Sequence, residues 1–220
     1  MTILNIAVGE HDIAIATCSR QSTTLADGSP YVFEQQAVKC SALPLCNALI
    51  AHSGGGGVGS VVTRVLDMLL LGALSGDVVR LAANLPEQLR AVASQRKFSG
   101  QGRFVLAGIV GEKAHAFLLD APTWEAQAFP QGAWCQPSLR PPADCLATPK
   151  TSPVDDRPPT VDLTPPPTAP NFRVSLHTIY TVAEQQHAEN PYSCGGPLLL
   201  SQIDSGLVIR QQVLRTLGET

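Results

Sequence analysis

Gly54, Gly56 and Gly59 stand at the spacing GxGxxG, the pattern by which a dinucleotide-binding turn brings backbone N–H groups up to a pyrophosphate. That chemistry also needs a parallel strand after the helix, ending in an acid that grips a ribose. Here Asp77 follows one helical run and leads towards another. The P-loop alternative fails on one residue. Gly54 and Gly59 have its glycine spacing, but Ser60 follows directly and the phosphate-reaching lysine is absent. A nucleotide-binding module is therefore the weakest functional reading of this loop. The structural alternative is close packing, in which small residues let a helix N-terminus approach a sheet.

The other chemistry-bearing residues are six cysteines, Cys18, Cys40, Cys46, Cys135, Cys145 and Cys194, with no CxxC pair and no histidine at zinc-finger spacing. Free thiols are expected, with no metal site and no cofactor. Charged residues make up 15% of the 220, against about 25% in an ordinary soluble domain, so part of a neutral surface is expected to lie against other subunits. A net charge of −3 without any Lys/Arg cluster argues against nucleic acid as a partner. The most apolar run, Val65 to Leu74, is interrupted by Asp67 and Gly72 and falls far short of the roughly 20 residues that span a bilayer. The first residues carry no basic stretch ahead of their apolar ones, and a cytoplasmic protein with reduced thiols is the expectation.

The elements that must position these residues follow from periodicity. Thr2 to Val8 and Asp12 to Cys18 are β-branched and apolar runs around Gly9-Glu10-His11, a hairpin pattern. Asp27-Gly28-Ser29-Pro30 is a turn cluster. Gln36 to Ser41 and Asn47 to His52 read as a second strand pair, after which the glycine run Gly54 to Gly57 releases the chain into a helix. In that helix Val58, Val61, Val62, Val65, Leu66, Leu69 and Leu70 recur at the spacing of one apolar face. A second helix is expected to start at Asn84, with Pro86 in its first turn and Glu87 as a capping-box acid. Phe104 to Ile109 and Ala114 to Leu119 form another strand pair, and Ala126 to Cys135 one more strand. Phe172 to Glu189 reads as a third helix, stopped by Asn190-Pro191, before a closing hairpin of Leu198 to Ile203 and Leu207 to Gln211. Eleven of the 18 prolines fall between Pro137 and Pro170, which reads as an exposed loop or linker. The division expected is 1–136, a proline-rich insert at 137–170, and a helix and hairpin at 171–220 that complete the same domain. Strands, two helices, strands, helix, strands suit two sheets between helical layers, an α+β class, better than a doubly wound parallel sheet.

Four segments together resemble the proteasome β-subunit superfamily, especially the bacterial proteasome-like peptidases among the N-terminal nucleophile (Ntn) hydrolases. They are Thr2-Ile3-Leu4-Asn5-Ile6-Ala7-Val8 with the following Ile13 to Arg20, then Ala37-Val38-Lys39-Cys40, then Ala48 to Gly55, and Ser193-Cys194-Gly195-Gly196-Pro197. The element order agrees over most of the chain outside the proline-rich loop. The resemblance implies a four-layer αββα sandwich. It also implies a site made from Thr2, Lys39, Cys18, Ser53, Gly54 and Ser193, a peptide substrate, a ring-like homo-oligomer, and an ATPase or regulatory partner.

The chemistry so implied begins with removal of Met1, for which the small Thr2 is suited. The freed α-amine, of pKa near 8 when unperturbed, takes the hydroxyl proton of its own residue, and Thr2 attacks a peptide carbonyl. Backbone N–H groups near Ser53 and Gly54 would hold the oxyanion, and Lys39 would supply a neighbouring positive charge. The sequence departs from the family at Cys18, where the family pairs an aspartate with the lysine. It departs again at Asn190-Pro191-Tyr192-Ser193, the neighbourhood of a second aspartate. A Cys18 thiolate opposite Lys39 would restore the missing charge. A catalytically inactive ring or scaffold subunit is the other reading these departures allow.

Overall fold

A computed structural model describes residues 2–34, 36–54, 58–70, 76–135 and 176–218. The proline-rich stretch lies outside the described residues, as do Gly56, Cys145 and residues 172–175 of the expected third helix.

The chain opens with the expected hairpin, β1 (Leu4–Val8) and β2 (Asp12–Cys18), in register from Leu4 opposite Thr17 to Val8 opposite Ile13. A short pair not foreseen, β3 (Gln21–Thr24) and β4 (Pro30–Glu34), closes around the Asp27–Ser29 turn, where the Asp27 carboxylate accepts from the Ser29 N–H. Next come β5 (Cys40–Leu43) and β6 (Ala48–Gly54), joined by a 3-10 turn at Pro44–Cys46. Helix α1 (Val58–Leu70) follows the glycine run.

Helix α2 spans Val78–Gln95, six residues earlier than the Asn84 start read from the sequence. Its cap is Asp77, whose side chain accepts from the Arg80 N–H at 2.9 Å, so Pro86 sits inside the helix and not in its first turn. The apolar stripe already runs through Val78 and Leu81, both buried, and that packing outweighs the missing proline donor. Strands β7 (Gly102–Val110) and β8 (Lys113–Asp120) pair as expected. The single strand expected at Ala126 to Cys135 is two, β9 (Ala126–Phe129) and β10 (Gly132–Cys135), which break at Pro130-Gln131 and join different sheets. Helix α3 (Leu176–Glu189) and the hairpin β11 (Gly196–Asp204) and β12 (Ile209–Leu217) complete the described chain.

One five-stranded antiparallel sheet has the order β10-β1-β2-β11-β12, and the other β5-β6-β7-β8-β9. Alternation along each strand separates three cores. Leu4, Ile6 and Val8 of β1 point at Leu49, Ala51, Val105 and Ala107 of the other sheet. On the outer face of the first sheet Ile3, Ala14, Ala16 and Leu200 meet Ile179 and Ala183 of α3. On the outer face of the second, Ile50, Phe104 and Leu106 meet Val61, Val65, Leu81, Leu85 and Leu89 of α1 and α2. Each such aliphatic side chain contributes about 1.5–3 kcal/mol on burial, so the three interfaces fix where the ends of β1, β2 and β5 stand. Among the described residues, no helix is long and apolar enough to cross a membrane.

Candidate active site

Thr2 and Cys18 lie at one end of the first sheet because the β1–β2 register continues past Leu4. The Cys18 N–H donates to the Ile3 carbonyl at 3.3 Å, and the Ile3 N–H donates to Cys18 Sγ at 3.2 Å. Lys39 comes from the second sheet. It stands one residue before β5, held by a 2.9 Å bond from the His52 N–H to its carbonyl. Packing of one sheet on the other therefore brings the lysine to the threonine.

Lys39 is 4% exposed, and a buried ammonium costs several kcal/mol unless acceptors surround it. Three do. Its Nζ donates to Thr2 Oγ1 at 3.3 Å, to Cys18 Sγ at 3.5 Å and, by a short bond, to the Arg20 carbonyl. Thr2 is itself 8% exposed, so its hydroxyl sits beside a positive charge with little water to screen it.

Cys18 is the centre of the arrangement. Its sulfur receives the Lys39 ammonium, the N–H groups of Ile3 and Gly195, and the S–H of Cys194. Four donors around one sulfur suit an anion. The Cys194 bond first, then the Lys39 charge and the two N–H groups, outweigh burial and bring the Cys18 thiol from its ordinary 9.0 down to about 5. Cys194 moves the other way, because its proton is the one shared and because it is buried. Within the pair, Cys18 is thus the thiol that gives up its proton more readily and Cys194 the one that holds it.

Cys194 is positioned by the end of α3. The chain turns after Asn190, whose carbonyl accepts from the Cys194 N–H at 2.9 Å, and His187 Nδ1 lies 2.6 Å from the Cys194 carbonyl. The Arg20 N–H donates to the Gly195 carbonyl, and the Arg20 guanidinium reaches the Pro191 carbonyl. A Cβ at Gly195 would come within 2.6 Å of that guanidinium, the movable end of a side chain. Of the residues singled out from the sequence, Thr2, Lys39 and Cys18 are therefore brought together. Ser53, 2% exposed, and Gly54 close β6 just beyond His52, the residue bonded to the Lys39 carbonyl. Gly54 has φ +154, and a Cβ there would stand 2.5 Å from the Gln101 carbonyl, so the close approach of β7 requires glycine. Ser193 is half-buried in the turn, and it is the next residue, Cys194, that reaches Cys18. Reasoning from sequence treated Cys194 as one more inert thiol and overlooked His52, a half-buried imidazole held down to about 4 by desolvation and by the Lys39 charge.

Comparison with solved structures decides what this architecture is. The Gly-1 mutant of Anbu from Hyphomicrobium sp. strain MC1 superposes with a TM-score of 0.65 at 12% identity, covering 97% of this chain and 87% of that one. Anbu from Yersinia bercovieri, described as an ancestral β-subunit, gives 0.64 at 12% over the same shares. The chain has the Anbu fold. The proteasome-like resemblance read from four short segments thus identifies the right fold, in a chain of very different sequence. No family model and no curated protein matches the sequence. The Anbu fold also disposes of the dinucleotide fingerprint. The strand before Gly54 is antiparallel to both its neighbours, whereas that fingerprint requires a parallel βαβ unit.

Proposed function

We propose that this chain is a proteasome-like N-terminal threonine hydrolase of peptide or amide bonds, built as a four-layer αββα sandwich. In it a Cys18 thiolate stands beside Lys39 in place of a carboxylate. The observation that carries the reading is the buried contact of Lys39 Nζ with both Thr2 Oγ1 and Cys18 Sγ. After Met1 is removed, the Thr2 α-amine takes the proton from Oγ1, and the adjacent ammonium favours the alkoxide that attacks the carbonyl. The acyl group leaves Thr2 when the same amine activates water. Backbone N–H groups at Ser53 and Gly54 hold the developing oxyanion. Ser193 belongs to the site through the turn that presents Cys194. Residues 1–136 and 171–220 act as one domain, supported by the pairing of β11 with β2, and 137–170 interrupts it.

The test is the mass of the N-terminal peptide before and after a peptide epoxyketone or boronate. Loss of Met1 and a single adduct on Thr2 are expected. Retention of Met1, or an adduct elsewhere, overturns the assignment in favour of a catalytically silent scaffold subunit.

One of the matched Anbu proteins is described as a β-subunit, and a subunit assembles. The chain accordingly self-associates into a ring-like homo-oligomer with Thr2 facing an enclosed space, gated by an ATPase or regulatory partner, in a cytoplasmic setting that keeps its thiols reduced. Native mass at micromolar concentration is expected to show a multimer, and a monomer there overturns the ring.

A further inference from the structure

We propose that Cys18 and Cys194 form a peroxide-sensitive thiol pair whose disulfide disconnects Lys39 from its anionic partner. The two side chains belong to the same buried cluster under α3, are respectively 0% and 1% exposed, and each acts on the other's proton. One partner of the pair is a nucleophile already activated. Lys39 at 3.5 Å, together with the Ile3 and Gly195 N–H groups, holds negative charge on Cys18. The other partner keeps its proton and stands in contact, the arrangement of a resolving thiol. The described cysteines are all free thiols, so the pair starts reduced.

The oxidant is a hydroperoxide, and hydrogen peroxide is the smallest of that class. The Cys18 thiolate attacks one peroxide oxygen. An S–O bond forms, the O–O bond breaks, sulfur is oxidised to a sulfenic acid, and hydroxide leaves. The Cys194 sulfur then attacks Cys18. An S–S bond forms, the S–O bond breaks, and the departing oxygen takes the Cys194 proton to leave as water. One thiolate, one thiol and one peroxide thus give one disulfide, one hydroxide and one water. The sulfurs must close to about 2 Å, with Cys194 carried on the turn that follows Asn190.

A disulfide sulfur carries no charge. Lys39 then keeps the Arg20 carbonyl and the Thr2 hydroxyl but loses its one anionic contact. The consequence for catalysis rests on the function proposed above, whereas formation of the bond does not.

The experiment treats the full-length protein with a few equivalents of hydrogen peroxide and measures intact mass, with free thiols blocked only in the parallel sample used for peptide mapping. A loss of about 2 Da, reversed by dithiothreitol, is expected, with a non-reducing peptide map joining the Cys18 and Cys194 peptides. Glutathione disulfide is expected to react far more slowly. In Cys194→Ser the 2 Da loss disappears and dimedone traps a sulfenic acid on Cys18. Should that variant fail to fold, the wild-type peptide map decides alone. A disulfide between any other cysteines, a cross-link of Cys18 to Lys39, or an unchanged mass overturns the proposal. Labelling of Thr2 by an epoxyketone, run in parallel, is expected to fall with the disulfide and return on reduction. Reduced protein that never labels overturns the hydrolase reading, while the mass still decides the thiol pair. Unchanged labelling of the oxidised protein overturns the disconnection of Lys39.

Discussion

Lys39→Ala is expected to slow acylation of Thr2 by a peptide epoxyketone roughly a thousandfold, measured as the second-order rate of adduct formation. The magnitude comes from where the charge sits. Lys39 is buried with Thr2, and its Nζ is 3.3 Å from the oxygen that must lose a proton, so its field acts through a medium far less polarisable than water. Removing it also strips Cys18 of its counter-charge, and the sulfur retains a proton that the native arrangement gives up. The fold should survive, because alanine leaves no charge stranded once Cys18 is neutral and because the His52 bond uses the Lys39 backbone. Lys39→Arg is not expected to rescue the rate. A planar guanidinium cannot replace a compact ammonium that meets a hydroxyl, a sulfur and a carbonyl in one buried volume. An alanine variant that labels within tenfold of the wild type would remove Lys39 from the chemistry.

Where one face of an element is buried along its length, the fold was legible in the sequence. The stripe Val58, Val61, Val62, Val65 and Leu69 marked α1, and the β-branched, apolar runs on either side of Gly9-Glu10-His11 marked the opening hairpin, because these are the residues that fill the cores. Misreadings arose where a local signal was set against packing. Pro86 and Asn84 together resemble a helix start, yet Asp77 caps the helix and buried Val78 and Leu81 extend it. The run from Ala126 to Cys135 was read through its break at Pro130-Gln131, and that its halves serve different sheets is a division that the tertiary arrangement makes. The β3–β4 pair was passed over because Gln21–Thr24 is a polar run, though its turn was visible. For the site, Thr2, Lys39 and Cys18 became candidates only through resemblance to a family. Cys194 stood in one of the resembling segments but was given no role there. Its meeting with Cys18 is made by α3 and the turn at Asn190, and nothing in the spacing of six cysteines distinguishes that pair from the others.

Cys18→Ala is expected to lower peptidase activity about as far as Lys39→Ala, with the fold retained, and the pH dependence of the wild type separates a charged sulfur from a merely well-packed one. In the wild type, activity falls below the pKa of the α-amine, near 8 when unperturbed, because a protonated amine cannot accept from Oγ1. A second, steeper fall should begin near pH 5, where Cys18 takes up its proton and Lys39 loses its anionic partner. Cys18→Asp should push that second fall lower, and its activity should not exceed the wild type. A Cys18→Asp enzyme faster than the wild type would mean that the sulfur is a defect and not a working substitute. Stability reads the same ionisation without any substrate. In the unfolded chain the thiol titrates at its ordinary 9.0, and in the folded chain at about 5, so between these values the unfolded state binds more protons. The contribution of Cys18 is therefore complete above about 9 and lost progressively as pH falls to about 5. Chemical denaturation at a series of pH values should show the wild type gaining stability relative to Cys18→Ala as pH rises through this window. Parallel curves for the two proteins would mean that the folded sulfur keeps its proton. Lys39 would then face a neutral thiol, leaving the buried ammonium without the anion on which the proposed mechanism depends.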